Sequence, residues 1–251
     1  MADVLACIDQ SAYANGVCDH AGWFASDPDV GVEVLHVDET PKDGAPGGVA
    51  QVERLVEQAV RRLREEGVGP VTSAMTSGSF VDVASRLKAD VIVMGKRGER
   101  SAAARRGLGS SVEEMVRATT TPICLTSKVF LPIHRVLVLL DADMDHRAAV
   151  EFVASQPRLV ALPADVVVVA GPGDEPDAKV EWARGILDAR RPDVFSLRAS
   201  GLDEAVTRYL DSRGADLIVV SRAVIAPGPE ARLQAIGASS LWGGRTPVLV
   251  C

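Results

Sequence analysis

Short apolar runs alternate with helical spacings along the 251-residue chain. Residues 4–8 form the first run and end at Asp9; residues 31–37, 91–94 and 123–126 follow, with 71–76 a weaker fifth. Each has strand length and is rich in Val and Ile, which fit a buried, pleated surface. Between them, residues 49–66 carry apolar side chains at 52, 55, 56, 59, 60 and 63, the spacing of one helix face, with Gly67 as the stop. Residues 80–88 and 111–118 predict shorter helices. Strands alternating with helices predict a parallel sheet covered on both faces.

The second half replays this order. RVLVLLDAD (135–143) matches DVLACIDQS (3–11), and DVVVVAG (165–171) matches the second strand. SLRASG (196–201) matches SAMTSG (73–78), ADLIVVSR (215–222) matches ADVIVMGK (89–96), and TPVLVC (246–251) matches TPICLT (121–126). Five blocks in one order imply an internal duplication into domains 1–129 and 130–251. The stretch 40–48 is the richest in turn residues and predicts a long loop.

Composition narrows the function classes. Ten aromatics in all argue against a base-stacking platform for single-stranded nucleic acid, and a net charge of −7 argues against phosphate-backbone binding. No apolar stretch is long enough for a membrane span, and the N-terminus lacks a secretory leader pattern. Cys7, Cys18, Cys124 and Cys251 form no CxxC pair and read as reduced thiols of a cytoplasmic protein. The four histidines have no metal-ligand spacing.

The sharpest chemical feature is MGKRGERSAAARRGLGSS (94–111), which follows a strand and precedes a helix. Gly95 and Gly98 flank Lys96 and Arg97, and Gly109 stands directly before Ser110 and Ser111. Glycines let backbone N–H groups approach an anion closely, and a following helix start offers free N–H groups and a positive dipole end. The bland alternative is a glycine-rich turn with a capped helix and a solvated basic face.

With Asp9 ending the first strand and His36-Val37-Asp38 ending the second, the first half resembles a universal stress protein domain, and the whole chain resembles a tandem universal stress protein. The family motif is Gly, two residues, Gly, nine residues, then Gly-Ser or Gly-Thr; here the second spacer has ten residues. The resemblance implies two open, parallel five-stranded α/β sheets, adenine nucleotide alpha hydrolase-like, each in strand order 3-2-1-4-5. It implies ATP, alone or with magnesium, where the order reverses. Asp9 and the backbone of Val37 would hold adenine; Gly95, Gly98, Gly109, Ser110 and Ser111 would hold ribose and phosphates. An aliphatic purine pocket is expected.

The second half departs from the motif, with Ser221 in place of Gly95 and Val224 in place of Gly98, and only a partial echo at Gly237-Ala238-Ser239-Ser240. It is expected to be a degenerate packing partner in an intramolecular pseudo-dimer. DADMD (141–145) resembles a haloacid-dehalogenase nucleophile motif, but Asp145 stands where Thr or Val belongs, and the duplication already pairs Asp141 with Asp9. The leading expectation is a non-enzymatic, ATP-dependent stress-response module with protein partners, as a single chain or a homodimer, without nucleic-acid or membrane binding. The alternatives are a slow ATPase or phosphotransferase, with Asp38 and Glu39 as the only candidate bases, and a stress protein that binds no nucleotide.

Overall fold

The computed structural model describes residues 3–39, 47–98, 108–142, 146–171, 173–187, 192–225, 241 and 243–251. The chain forms two compact units, residues 1–130 and 131–251.

The first unit runs β1 (Val4–Cys7), α1 (Ala14–Phe24), β2 (Val32–Asp38), α2 (Gly47–Glu65), β3 (Val71–Ser77), α3 (Phe80–Ala84), β4 (Val91–Gly95), α4 (Ser110–Ala118) and β5 (Ile123–Thr126). All pairings are parallel, in the spatial order β3-β2-β1-β4-β5. β1 and β5 are buried throughout, as is β4 up to Met94, whereas β3 at the edge is exposed at most positions. The continuous Val/Ile runs are therefore the strands covered on both faces.

Helix α1 is not visible in the apolar spacing. Its buried residues include Ala14, Gly16, Val17, Cys18, Ala21, Gly22 and Phe24, a broad face of small side chains rather than a stripe. Gly16 is there because of close approach: a Cβ would lie 2.2 Å from the Ser127 carbonyl oxygen. Gly69 has the same constraint, 2.2 Å from the Pro28 carbonyl oxygen. The pairing of Arg62 on α2 with Asp19 on α1 ties the two helices together. Helix α3 is shorter than expected. Ser79 caps its start, and i−3 bonds from Arg86 to Val83 and Leu87 to Ala84 tighten the chain out of the helix before Lys88.

The second unit runs β6 (Val136–Asp141), α5 (Arg147–Ser155), α6 (Pro157–Val160), β7 (Ala164–Ala170), α7 (Asp177–Leu187), β8 (Asp193–Arg198), α8 (Leu202–Ser212), β9 (Leu217–Val220), α9 (Arg222–Ile225) and β10 (Val248–Val250). Its strands are parallel in the order β10-β9-β6-β7-β8. Counted within each unit, both sheets have the expected order 3-2-1-4-5. The cores are aliphatic: among the described residues Phe24 and Tyr209 are the only aromatics in them.

At the amino end of β7, Asp165 is a buried acceptor hub. Its Oδ2 receives the Tyr209 hydroxyl at 2.6 Å, Arg213 at 3.1 Å and Arg135 at 3.5 Å. Burial, and then the bond to Asp165, push the Tyr209 phenol up from its ordinary range. Both arginines keep over 40% of their side-chain exposure, so the loss on mutation lies mainly in the stranded phenol. Asp165→Ala is expected to destabilise by about 2–3 kcal/mol, and Asp165→Asn by less, because an acceptor remains. Urea unfolding checks this; equal losses for the two variants would contradict it.

Candidate functional site

In the first unit the strand order reverses between β1 and β4, so their carboxyl ends border a crevice where open α/β sheets hold ligands. Cys7 pairs with Leu35 on one side and Met94 on the other. Asp9 follows two residues after Cys7, as Val37 follows Leu35 and Lys96 follows Met94.

Asp9 is half-buried, and its Oδ1 accepts the Ser11 N–H at 3.0 Å. Ser11 Oγ in turn accepts the Tyr13 N–H at 3.2 Å, and these two turns lead the chain into α1. The other carboxylate oxygen faces the glycine bend. A Cβ on Gly98 would lie 2.9 Å from Asp9 Oδ2, the only heavy atom of the described residues within 4 Å. The fold thus brings together two residues 89 positions apart that the sequence reading assigned to one site. Val37 is half-buried near the end of β2. Beside it, the buried His36 reaches the Ile8 carbonyl through Nδ1 at 3.1 Å. A carbonyl only accepts, so Nδ1 carries the proton and the ring pins β2 to the end of β1.

Gly95 ends β4, where a Cβ would lie 2.8 Å from Tyr13 Cβ and 3.0 Å from Cγ. The Lys128 ammonium stands 5.6 Å from the Tyr13 ring centre. Tyr13 therefore packs against the carboxyl end of β4. Its sequence signal was its position, four residues after Asp9, at the start of an unrecognised helix.

Lys96 is the larger surprise. It reads as part of a solvated basic face, but only 1% of it is exposed. Burial lowers its ammonium pKa to about 7, the Cys124 thiol opposing and Arg97 reinforcing. Burial likewise pushes the Cys124 thiol up to about 12. The Lys96 carbonyl accepts the Gly109 N–H at 3.2 Å, which closes the neck of the glycine loop. Gly109 is the buried N-cap of α4, and its carbonyl accepts from Val112 and Glu113. The N–H groups of Ser110 and Ser111 lie in the first turn, ahead of these intrahelical donors. Ser110 is exposed and Ser111 half-buried. Glu113 also stands in that turn and pairs with Arg117 at 3.8 Å. Residues 99–107, most of the loop with the longer spacer, lie outside the described residues.

A cleft of about 270 Å³ opens on the α2 side of this end, bordered by Gln10, Gln51, Arg54, Leu55 and Gln58. It includes none of the loop glycines. Of the candidate bases, Glu39 accepts the Phe80 N–H at 3.0 Å and so holds the start of α3. Among the described residues no group of His, Cys, Asp and Glu side chains suits a metal ion.

The corresponding end of the second unit is built differently. Asp141 is 4% exposed, its N–H donates to His146 Nε2 at 2.8 Å, and its carbonyl accepts from Lys179. After β9 the chain enters α9 at once: Ser221 Oγ accepts the Ala223 N–H at 3.3 Å, where the first unit has its glycine bend. The side chain of Val224, residues 226–240 and with them the echo at Gly237–Ser240 lie outside the described residues.

An open α/β sheet with its crevice at the strand switch defines the fold class, and comparison with known proteins gives the family. The sequence profile of the universal stress protein family matches residues 1–126. The chain belongs to the universal stress protein family. It is 26% identical over 255 residues to universal stress protein Slr1230 of Synechocystis, covering 88% of this chain and 89% of that protein. A universal stress protein of Archaeoglobus fulgidus superposes with a TM-score of 0.72 at 18% identity, over 99% of this chain and 95% of that one. A putative universal stress protein from Pseudomonas aeruginosa does so with a TM-score of 0.65 at 13% identity, over 98% and 91%. Both likenesses show the fold. No helix among the described residues is long and apolar enough to cross a membrane.

Proposed function

We propose that the chain is a cytoplasmic, adenine-nucleotide-binding regulator that holds one ATP, alone or with magnesium, in its first unit and does not turn it over. The observation that carries this reading is the approach of the Gly98 backbone to the Asp9 carboxylate at the strand switch. Asp9 and the Val37 backbone supply polar groups of the kind an adenine edge hydrogen-bonds. Gly95, Gly98 and Gly109 keep side chains away from the phosphate path, and the first-turn N–H groups of Ser110 and Ser111 offer donors at a positive helix end. The engagement of Glu39 with α3 favours binding over hydrolysis, since a general base must reach the attacking water. In the second unit, α9 in place of a glycine bend and the occupied backbone of Asp141 support a unit without this site.

Calorimetric titration tests the reading. One ATP per chain is expected, with no phosphate released over hours. Asp9→Ala should weaken binding about tenfold, the loss of one hydrogen bond to a charged group. Two ATP per chain, none, or release of phosphate that depends on Asp38 would overturn it.

A further inference from the structure

The two sheets treat their outer edges in opposite ways. β8 carries Asp193 and Arg198 at its ends, and Arg213 reaches Asp193 at 2.7 Å and sits over the Phe195 ring at 5.1 Å. Such charges guard an open edge against further strand pairing. β3 reads VTSAMTS, with no charge and no proline, and Met75 is 50% exposed.

The ladder shows which backbone groups this edge presents. Val32 N–H donates to the Pro70 carbonyl and Gly78 N–H to the Asp38 carbonyl, in the register Val32↔Val71 to Asp38↔Ser77. Thr72, Ala74 and Thr76 therefore bond inward to β2. Val71, Ser73, Met75 and Ser77 direct their N–H and C=O groups outward. Arg64 takes the Val71 carbonyl at 3.2 Å; the outward groups of Ser73, Met75 and Ser77 have no recorded partner among the described residues.

Beside this edge, α2 and β3 enclose a cleft of about 760 Å³. Val56, Val60 and Met75 form its middle; Glu53 and Glu57 line one end, and Arg61 and Arg64, with Glu65, line the other. Among the described residues neither Glu53, Glu57 nor Arg61 forms an ion pair, although Glu57 and Arg61 stand at i,i+4. The cleft is thus acidic at one end, apolar in the middle and net basic at the other. That is the charge order of a self-complementary patch.

We propose that the occupant of this edge is a second copy of the chain, added antiparallel through β3. A twofold axis at Ala74, perpendicular to the sheet, sets Ser73 of one copy against Met75 of the other and Val71 against Ser77. The outward groups then exchange hydrogen bonds in antiparallel pairs. The same axis lays the two α2 helices antiparallel on one face, with Glu53 and Glu57 of each copy facing Arg61 and Arg64 of the other. Isologous pairing satisfies the bare edge and the unpaired charges together.

Analytical ultracentrifugation of the full chain over a concentration series tests this. A dimer is expected, weakening as salt rises. Glu53→Arg with Glu57→Arg, and separately Arg61→Glu with Arg64→Glu, should each weaken it at least tenfold. Mixing the two variants should restore association, because one is then basic and the other acidic along the cleft. Ser73→Pro removes one outward N–H without touching the inward ladder, so it should give a folded monomer. The four native cysteines are buried, so Ala74→Cys adds an accessible thiol on the axis that should cross-link on oxidation. A monomeric parent overturns the proposal. So does a dimer that ignores both charge variants and fails to cross-link at 74.

Discussion

Under the proposed nucleotide-binding function, Gly98→Val is expected to leave the folded chain intact and to abolish the stabilisation expected from ATP. The position has no strained backbone angle, and among the described residues the one atom its Cβ would crowd is the far end of the Asp9 side chain. The cost to the unliganded fold is therefore small, within about 1 kcal/mol, as for a partly exposed substitution without a cavity or stranded group. The cost to the site is large, because the added atoms displace the Asp9 carboxylate and fill the path where phosphates would approach. For the parent, ATP at 100 times its Kd adds about 2.7 kcal/mol. Thermal denaturation with and without nucleotide reads both numbers. Gly95→Val is the contrast: its Cβ meets Tyr13 at Cβ and Cγ, which cannot swing away, so that variant loses stability even without ligand. An unchanged ATP shift in Gly98→Val would remove the loop from the site.

The second large effect is a pH dependence carried by Lys96. Burial holds its ammonium near pKa 7, while in the unfolded chain a lysine keeps its proton to about pH 10. Between these values the unfolded state binds the extra proton, so stability rises with pH by about 1.4 kcal/mol per unit. Above about pH 9 the buried thiols act in the opposite direction. Cys18 and Cys124 are pushed up to about 12 and Cys7 is raised as well, so they stay neutral while their unfolded counterparts ionise. His20, lowered by burial, makes its own contribution at and below its ordinary range. The window for Lys96 is therefore about pH 7 to 8.5, and the expected gain across it is about 2 kcal/mol. Lys96→Met should be flat across that window. A parent-like slope in the variant would show that another group carries it.

Much of this architecture is legible in the chain because the strands are buried on both faces. Residues 91–94 must be apolar at every position, and such a run is visible without alternation. Asp9, Gly95 and Gly98 stand out because polar or glycine residues abruptly end those runs. What was not legible depends on tertiary packing. Helix α1 lacks a stripe, since its neighbours need small side chains around most of its circumference, and Gly16 and Gly22 resemble breaks when they are points of contact. The charged type of Lys96 predicts solvent, and its burial comes from tertiary packing, which brings Cys124 of β5 near its ammonium. The weak pattern of 71–76 is itself informative: it is an edge strand with one covered flank, and its polar residues mark the uncovered one.

The glycines of the first unit fall into two kinds. A Cβ at Gly16 or Gly69 would lie 2.2 Å from a backbone carbonyl oxygen that cannot give way, whereas one at Gly98 would meet the end of a side chain, the Asp9 carboxylate. A library of variants sorted only for soluble expression would therefore reject nearly every replacement at 16 and 69 and pass most at 98. Such a screen would rank the loop glycine as dispensable. Under the proposed function, selection for ATP binding, run beside it, is expected to reverse that order, and the gap between the two rankings separates positions needed for a ligand from those needed for the fold.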